Sequence, residues 1–258
     1  MRPHKKIIYR NQEKTTPNRH SKEEPVRLNK LIANSGVCSR READKLIAKG
    51  KITVNGKVVS KLGFKVLPTD DVKFGNQHLK LQKSVYVLLN KPKGFITTSR
   101  DPQNRKTVMD LISKATSERL FSVGRLDRNT MGLLLFTNDG DLAKKLSHPS
   151  HKIKKIYQVD LDRALTKPDL EKIITGFELE DGIFNIDNIS IISDDKKTIG
   201  IELHIGKNRI VRRIFEHLGY TVKKLDRSVY AGLTKKDLPR GKWRHLSKQE
   251  IITLKYLK

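Results

Sequence analysis

Apolar positions change their spacing several times along this chain, and each change marks an element. Leu28, Leu31 and Ile32 fall on one helix face, and Gly36 ends that helix. Ser39-Arg40-Arg41-Glu42 has the form of a capping box, opening a second helix that buries Ala43, Leu46 and Ile47 and stops at Gly50. Ile52 to Val58, centred on Asn55-Gly56, predicts a hairpin. The stretch from Asp70 to Lys83 is polar and reads as a linker. Val85 to Leu89 predicts a strand, followed by a cation-rich turn, Asn90-Lys91-Pro92-Lys93-Gly94. Leu133-Leu134-Leu135-Phe136 is apolar throughout and predicts a buried strand, and Asp139-Gly140-Asp141-Leu142 opens a helix. Lys155–Val159, Phe184–Ile186 and Ile201–Ile205 alternate as strands. Between Asn208 and Gly219 a helix places Val211, Ile214, Phe215 and Leu218 on one side and Arg209, Arg212, Arg213 and Glu216 on the other. No βαβ unit repeats, so the pattern predicts an α+β fold and not a doubly wound parallel sheet.

Charge narrows the class of partner. The 258 residues include 54 Lys and Arg against 28 Asp and Glu, a formal net charge of +26. A field of that size favours a polyanion, with nucleic acid first and an anionic membrane surface second. The chain has no long apolar span and no signal-peptide pattern, which leaves a soluble, cytoplasmic, nucleic-acid-facing protein as the expectation. Cys38 is the one cysteine, so no disulfide framework exists. His148 and His151 have no cysteine or acidic cluster near them in sequence, and no metal site is expected. Residues 1–24 are basic, carry Pro3 and Pro17, and lack apolar periodicity. They read as a disordered arm, either adding phosphate affinity or inert.

Two segments carry candidate chemistry. Gly124-Arg125-Leu126-Asp127-Arg128-Asn129-Thr130-Met131-Gly132 places a carboxylate between two arginines on a short glycine-bounded segment ahead of the buried strand. Cationic neighbours keep such a carboxylate ionised, and a rigid sheet edge would aim it at a substrate. The alternative is a surface turn whose aspartate bonds its own backbone. The second segment is the arginine cluster of residues 209–213, whose guanidinium groups repel unless anions lie opposite; phosphates and a partner carboxylate are the natural candidates. The alternative is an ordinary surface helix. His204-Ile205-Gly206-Lys207 faintly resembles the nucleotide-binding tetrapeptide of class I aminoacyl-tRNA synthetases. It ends an alternating strand, and neither the second lysine-rich signature nor a glycine-rich phosphate loop accompanies it, so nucleotide chemistry is not expected.

The helix pair, its stripe of Arg41, Lys45 and Lys49, and the Asn55-Gly56 hairpin together resemble the S4 RNA-binding module over residues 25–80. After it come Asn90–Gly94, Gly124–Asp127, Lys155-Ile156-Tyr157 and Asn208–Arg213, in the order found in rRNA pseudouridine synthases, a resemblance covering nearly everything beyond the arm. It implies a catalytic domain over residues 84–258, with a mixed, mostly antiparallel sheet flanked by helices. It implies Asp127 as the catalytic aspartate, Tyr157 as the active-site tyrosine and Arg212 as the arginine pairing with the aspartate. The expected RNA contacts are Arg125, Lys155, Arg209, Arg213 and Lys91, with Arg40, Arg41 and Lys45 in the S4 module. Arg125 is the candidate to fill the gap left by a flipped base. Ile210 stands where the family usually has Gln. The segment Asp237–Trp243 resembles the branch member that modifies 23S rRNA. A 16S rRNA enzyme and a non-catalytic S4-containing assembly factor are the alternatives. The resemblance further implies a cofactor-free monomer acting on rRNA.

Overall fold

The computed structural model describes residues 24–257, so the basic arm expected over residues 1–24 lies outside the described residues except for Glu24. The chain divides into two compact units, with the boundary between Lys80 and Leu81.

In the first unit, β1 (Val26–Arg27) leads directly into α1 (Leu28–Asn34), and α2 (Arg40–Ala48) follows. The Ser39 hydroxyl accepts from the Glu42 amide at 3.3 Å while the Glu42 carboxylate accepts from the Ser39 amide at 2.8 Å, closing the capping box. Next come β2 (Ile52–Val54), β3 (Lys57–Val58), β4 (Lys65–Val66), β5 (Val72–Phe74) and β6 (Gln77–His78). The β2–β3 turn holds Asn55 at φ 49° and Gly56 at φ 77°, the two left-handed residues that a tight hairpin of this hand requires. Leu28, Ile32, Ala43 and Ile47 pack on Ile52, Val54, Val66 and Val72. The polar stretch from Asp70 to Lys83 is not wholly a linker. It holds β5 and β6, and β5 pairs antiparallel with β2. Only Val72 of this hairpin is fully buried, so its sequence looks like solvent-exposed chain.

The second unit begins with β7 (Tyr86–Lys91), α3 (Val108–Ile112), β8 (Phe121–Val123), β9 (Met131–Thr137) and α4 (Gly140–Ser147). It continues with β10 (Lys155–Leu161), α5 (Lys167–Thr175), β11 (Glu178–Leu179), β12 (Gly182–Ile183), β13 (Asn188–Ile191), β14 (Thr198–Leu203) and α6 (Ile210–His217). The long β15 (Val222–Tyr230), β16 (Leu233–Thr234), β17 (Trp243–His245) and α7 (Lys248–Tyr256) complete it. One sheet runs β13-β14-β10-β15-β9-β7-β17, with β16 on β15 and β8 on β9. Every pairing in it is antiparallel except β15 with β9, which joins Asp226 to Met131 and Arg227 to Gly132. The sheet is therefore mixed and mostly antiparallel, and the fold is α+β.

Both faces of the central strands are covered, which is why Leu133–Phe136 reads as an unbroken apolar run. Leu133 and Leu135 pack with Leu142, Leu146 and Leu254, whereas Leu134 and Phe136 pack with Val108, Ile112 and Leu126. A separate core joins Val159, Ile199, Ile201 and Leu203 to Ile210, Val211, Ile214 and Phe215 of α6.

Two local expectations change here. Phe184–Ile186 is not a strand; Phe184 instead inserts into the core edge-on to Phe177, and pairing begins at Asn188. Arg212 does not belong to the exposed side of its helix. It is 8 % exposed, its guanidinium turned to the backbone carbonyls of Val222 and Asn129.

Candidate active site

The segment between β8 and β9 is a loop held from beneath. Gly124, at φ 73°, turns the chain out of β8, and Leu126 returns its side chain to the core. The Thr97 hydroxyl donates to the Leu126 carbonyl at 2.7 Å and accepts from its amide at 3.2 Å. The Gly94 amide donates to the Arg128 carbonyl at 2.8 Å. Lys91 does most to fix the loop. Its ammonium donates to the carbonyls of Asp127 at 3.0 Å, Thr130 at 2.8 Å and Arg128 at 3.4 Å, and its side chain is fully buried. Burial lowers its pKa to about 8, with the Asp127 charge opposing and Arg240 adding to the shift. Lys91 was expected to contact RNA, and this burial corrects that reading: the cation is sealed under the loop as its clamp.

Asp127 stands at the mouth of a cavity of about 550 Å³. Gly124–Asp127, Thr130, Ser147–Pro149 and His204–Lys207 line it together with Lys155, Tyr157, Leu225, Arg227 and Tyr230, of which Leu225, Arg227 and Tyr230 are buried and Arg125 is exposed. That volume is suited to one nucleoside-sized group. The nearest cation to the Asp127 carboxylate is Arg209, whose Nη1 lies 3.9 Å from Oδ2. Arg209 sits at φ 47° as the residue preceding α6, a left-handed conformation that turns it back over the loop.

The pairing of Arg212 with Asp127 therefore takes another form than the resemblance implied. The Arg212 guanidinium donates to the carbonyls of Val222 at 3.0 Å and Asn129 at 3.4 Å, while its Nε is buried without a partner. Burial lowers its pKa, Arg209 pushes in the same direction, and Asp127 and Glu216 oppose. Arg212 thus acts on Asp127 through its field and through the Asn129 carbonyl of the same loop, and Arg209 is the contact partner.

The remaining candidates separate by place. Tyr157 lines the cavity, half-buried on β10, with Ile201 and Arg227 as its cross-strand partners. Lys155 lines it too, donating to the carbonyls of Ile153 and His204. Burial first, and the Arg227 charge second, lower its pKa to about 8, with Asp187 opposing. Arg125 is exposed on the rim. Arg213, expected to face phosphate, is instead held bidentate by Asp181 in the β11–β12 turn at 2.8 and 2.9 Å. Lys207 of the tetrapeptide donates to the Asp181 carbonyl at 2.7 Å, and His204 bonds Asp187 at 2.7 Å. Arg40, Arg41 and Lys45 are exposed on α2 of the first unit.

Arg227 was missed by sequence reading. Its signal is an arginine two positions after Leu225, at an inward place of an alternating strand. Among the described residues no group of three or more metal-ligating side chains forms, and no helix is long and apolar enough to cross a membrane.

Comparison with known proteins gives this geometry a context. A family model described as RNA pseudouridylate synthase matches residues 85–217, and an S4 domain model matches residues 26–72. The ribosomal large subunit pseudouridine synthase B of Bacillus subtilis is 42% identical over 235 residues, covering 90% of this chain and 96% of that one. An RNA pseudouridine synthase of Aquifex aeolicus is 41% identical over 233 residues, covering 89% of this chain and 93% of that one. A crystal structure of a pseudouridylate synthase superposes with a TM-score of 0.63 at 26% identity, covering 89% of this chain and 99% of that one.

Proposed function

This chain belongs to the RNA pseudouridylate synthase family, and on that footing we propose that it isomerises a specific uridine of 23S ribosomal RNA, with Asp127 as the catalytic carboxylate. The observation that carries the reading is that Asp127 lines a nucleoside-sized cavity together with Tyr157 and has Arg209 beside its carboxylate. The choice of large-subunit RNA rests on the name of the B. subtilis relative.

Isomerisation breaks the C1′–N1 bond, turns the base and joins C1′ to C5. It is redox-neutral and conserves every atom, so the chemistry calls for no cofactor. An ionised Asp127 against the sugar serves as nucleophile or stabilises cationic character at C1′. Arg209 in contact and Arg212 behind the loop supply the positive charge beside that carboxylate. Tyr157 offers a ring face to the base and a hydroxyl for proton transfer. The uridine leaves its stack to reach the cavity, and Arg125 on the rim fills the space it vacates. The S4 module contributes phosphate contacts through Arg40, Arg41 and Lys45. The protein acts as a monomer in the cytoplasm.

Pseudouridine mapping of rRNA tests this reading, in a strain lacking the gene and in the same strain supplied with wild type or Asp127→Asn. One 23S position should lose its modification and regain it with wild type alone. An unchanged 23S map, or restoration by Asp127→Asn, overturns it.

A further inference from the structure

Arg227 is a buried cation without a counter-ion. It is 3 % exposed, and no carboxylate of a described residue pairs with it. Its Nε donates to the Leu133 carbonyl at 2.8 Å, its guanidinium lies 4.4 Å from the centre of the Tyr230 ring, and its Nη2 is buried with no hydrogen-bond partner. An unpaired buried charge is costly, as is breaking a buried ion pair. The position is also built to receive it. Arg227 pairs with Gly132 where β15 meets β9, and any Cβ at residue 132 would overlap the Arg227 backbone. A shift of register at Ile156/Tyr157 sets Tyr157 opposite Arg227. The neighbouring acid, Asp226, is engaged by Lys235 and Arg240. Arg227 and Lys155 thus place positive charge in the cavity wall, away from the exposed rim where Arg125 and Arg209 stand.

We propose that Arg227 is the cavity cation that meets the carbonyl edge of the flipped uracil and stabilises the negative charge it acquires, an inference that rests on the proposed pseudouridine synthase activity. When C1′–N1 breaks, its electron pair leaves with the base, so N1, O2 and O4 share one negative charge while C1′ is cationic against the Asp127 carboxylate. Recombination at C5 uses an electron pair of the base, and the C5 proton is lost as N1 gains one, so the net charge returns to its starting value. A cation beside Tyr157 lies at the edge of the surface on which the base stacks, where in-plane donors meet carbonyl oxygens. A fixed donor aimed at developing charge is worth about 10²–10³ in rate.

The test uses the full-length protein, 23S transcripts labelled with tritium at uridine C5, and a hairpin carrying the mapped target as 5-fluorouridine. Arg227→Gln should lower the single-turnover rate of tritium release by about a hundredfold. Its RNA dissociation constant should stay within about threefold, and Arg227→Lys should recover about tenfold of the loss by restoring the charge. In an Asp127→Asn background, the bound ¹⁹F resonance should move when Arg227 becomes Gln or Lys. A rate for Arg227→Gln close to wild type, equal losses in Gln and Lys, or an unmoved ¹⁹F resonance overturns the inference. If Arg227→Gln does not fold, the lysine variant alone decides through the ¹⁹F shift. An inactive wild type would overturn the underlying function instead, so the two failures are distinct.

Discussion

The Lys91 ammonium lies 3.0 Å from the Asp127 carbonyl and 2.8 Å from that of Thr130, directly under the loop that presents the carboxylate. A buried side chain at the end of β7 therefore sets the position of a residue on the loop between β8 and β9. Lys91→Met keeps the apolar stem and leaves these carbonyls unsatisfied, which costs about 2–3 kcal/mol. Chemical denaturation should show that loss, and tritium release should fall by more than about tenfold, since a loop displaced by 1 Å loses its alignment. Wild-type activity in a destabilised Lys91→Met protein would separate the clamp from the chemistry.

Arg125 and Arg213 should differ in how salt affects RNA binding. Arg125 stands free on the rim, whereas Arg213 is neutralised by Asp181. Arg125→Met should reduce the slope of log affinity against log salt by about one contact. Arg213→Met should leave the slope unchanged and loosen the β11–β12 turn, seen as faster amide exchange around Asp181. Equal reductions in slope would mean that RNA displaces Asp181 from Arg213.

Acid should release the C-terminal helix through Glu250. Its carboxylate accepts from Arg244 at 2.7 and 2.8 Å and from the Ser247 amide at 2.8 Å. Arg244 first among these lowers its pKa from 4.5 to about 2. The folded value lies below the unfolded one, so this contribution is fully present above about pH 4.5 and drains away as pH falls toward 2. After allowance for its partial exposure it amounts to about 1 kcal/mol. Glu250→Gln should remove that much at pH 7 and flatten the acid limb of the stability curve, measured by urea titration at stepped pH. An unaltered acid limb would show that the pair contributes nothing.

Removal of residues 1–80 should leave the second unit folded, because its sheet and cores draw on residues after Leu81. Calorimetry should retain one cooperative transition while RNA affinity and its salt dependence decline. Loss of the transition would place the domain boundary elsewhere.

What the sequence made legible was local. The Ser39–Glu42 capping box, the Asn55-Gly56 turn and the apolar run beside Asp127 depend on a few consecutive residues, and the structure forms each as read. The family order of motifs brought Asp127, Tyr157 and Lys155 to one cavity. Burial of cations was not legible. Lys91 lies in a run that looks like a phosphate-binding turn, and its role follows only from a loop that begins 33 residues later, at Gly124. A helical wheel treats Arg209, Arg212 and Arg213 alike, yet one precedes the helix in a left-handed conformation, one is buried and one is tied to Asp181. Arg227 is an ordinary basic residue of a basic chain until Gly132 and Tyr230 are placed around it.

The parallel seam between β9 and β15 sets when the enzyme can first work. The strand that follows the Asp127 loop and the strand bearing Arg227 join there, at a pairing of two residues each, with the Arg227 side chain reaching on to the Leu133 carbonyl. Contacts so distant in sequence form late, since loop closure must precede any gain from pairing. A nascent chain that has exposed Asp127, Lys155 and Tyr157 still lacks one wall of its cavity. Competence waits for β15, and so for Tyr230 to leave the ribosome that makes it.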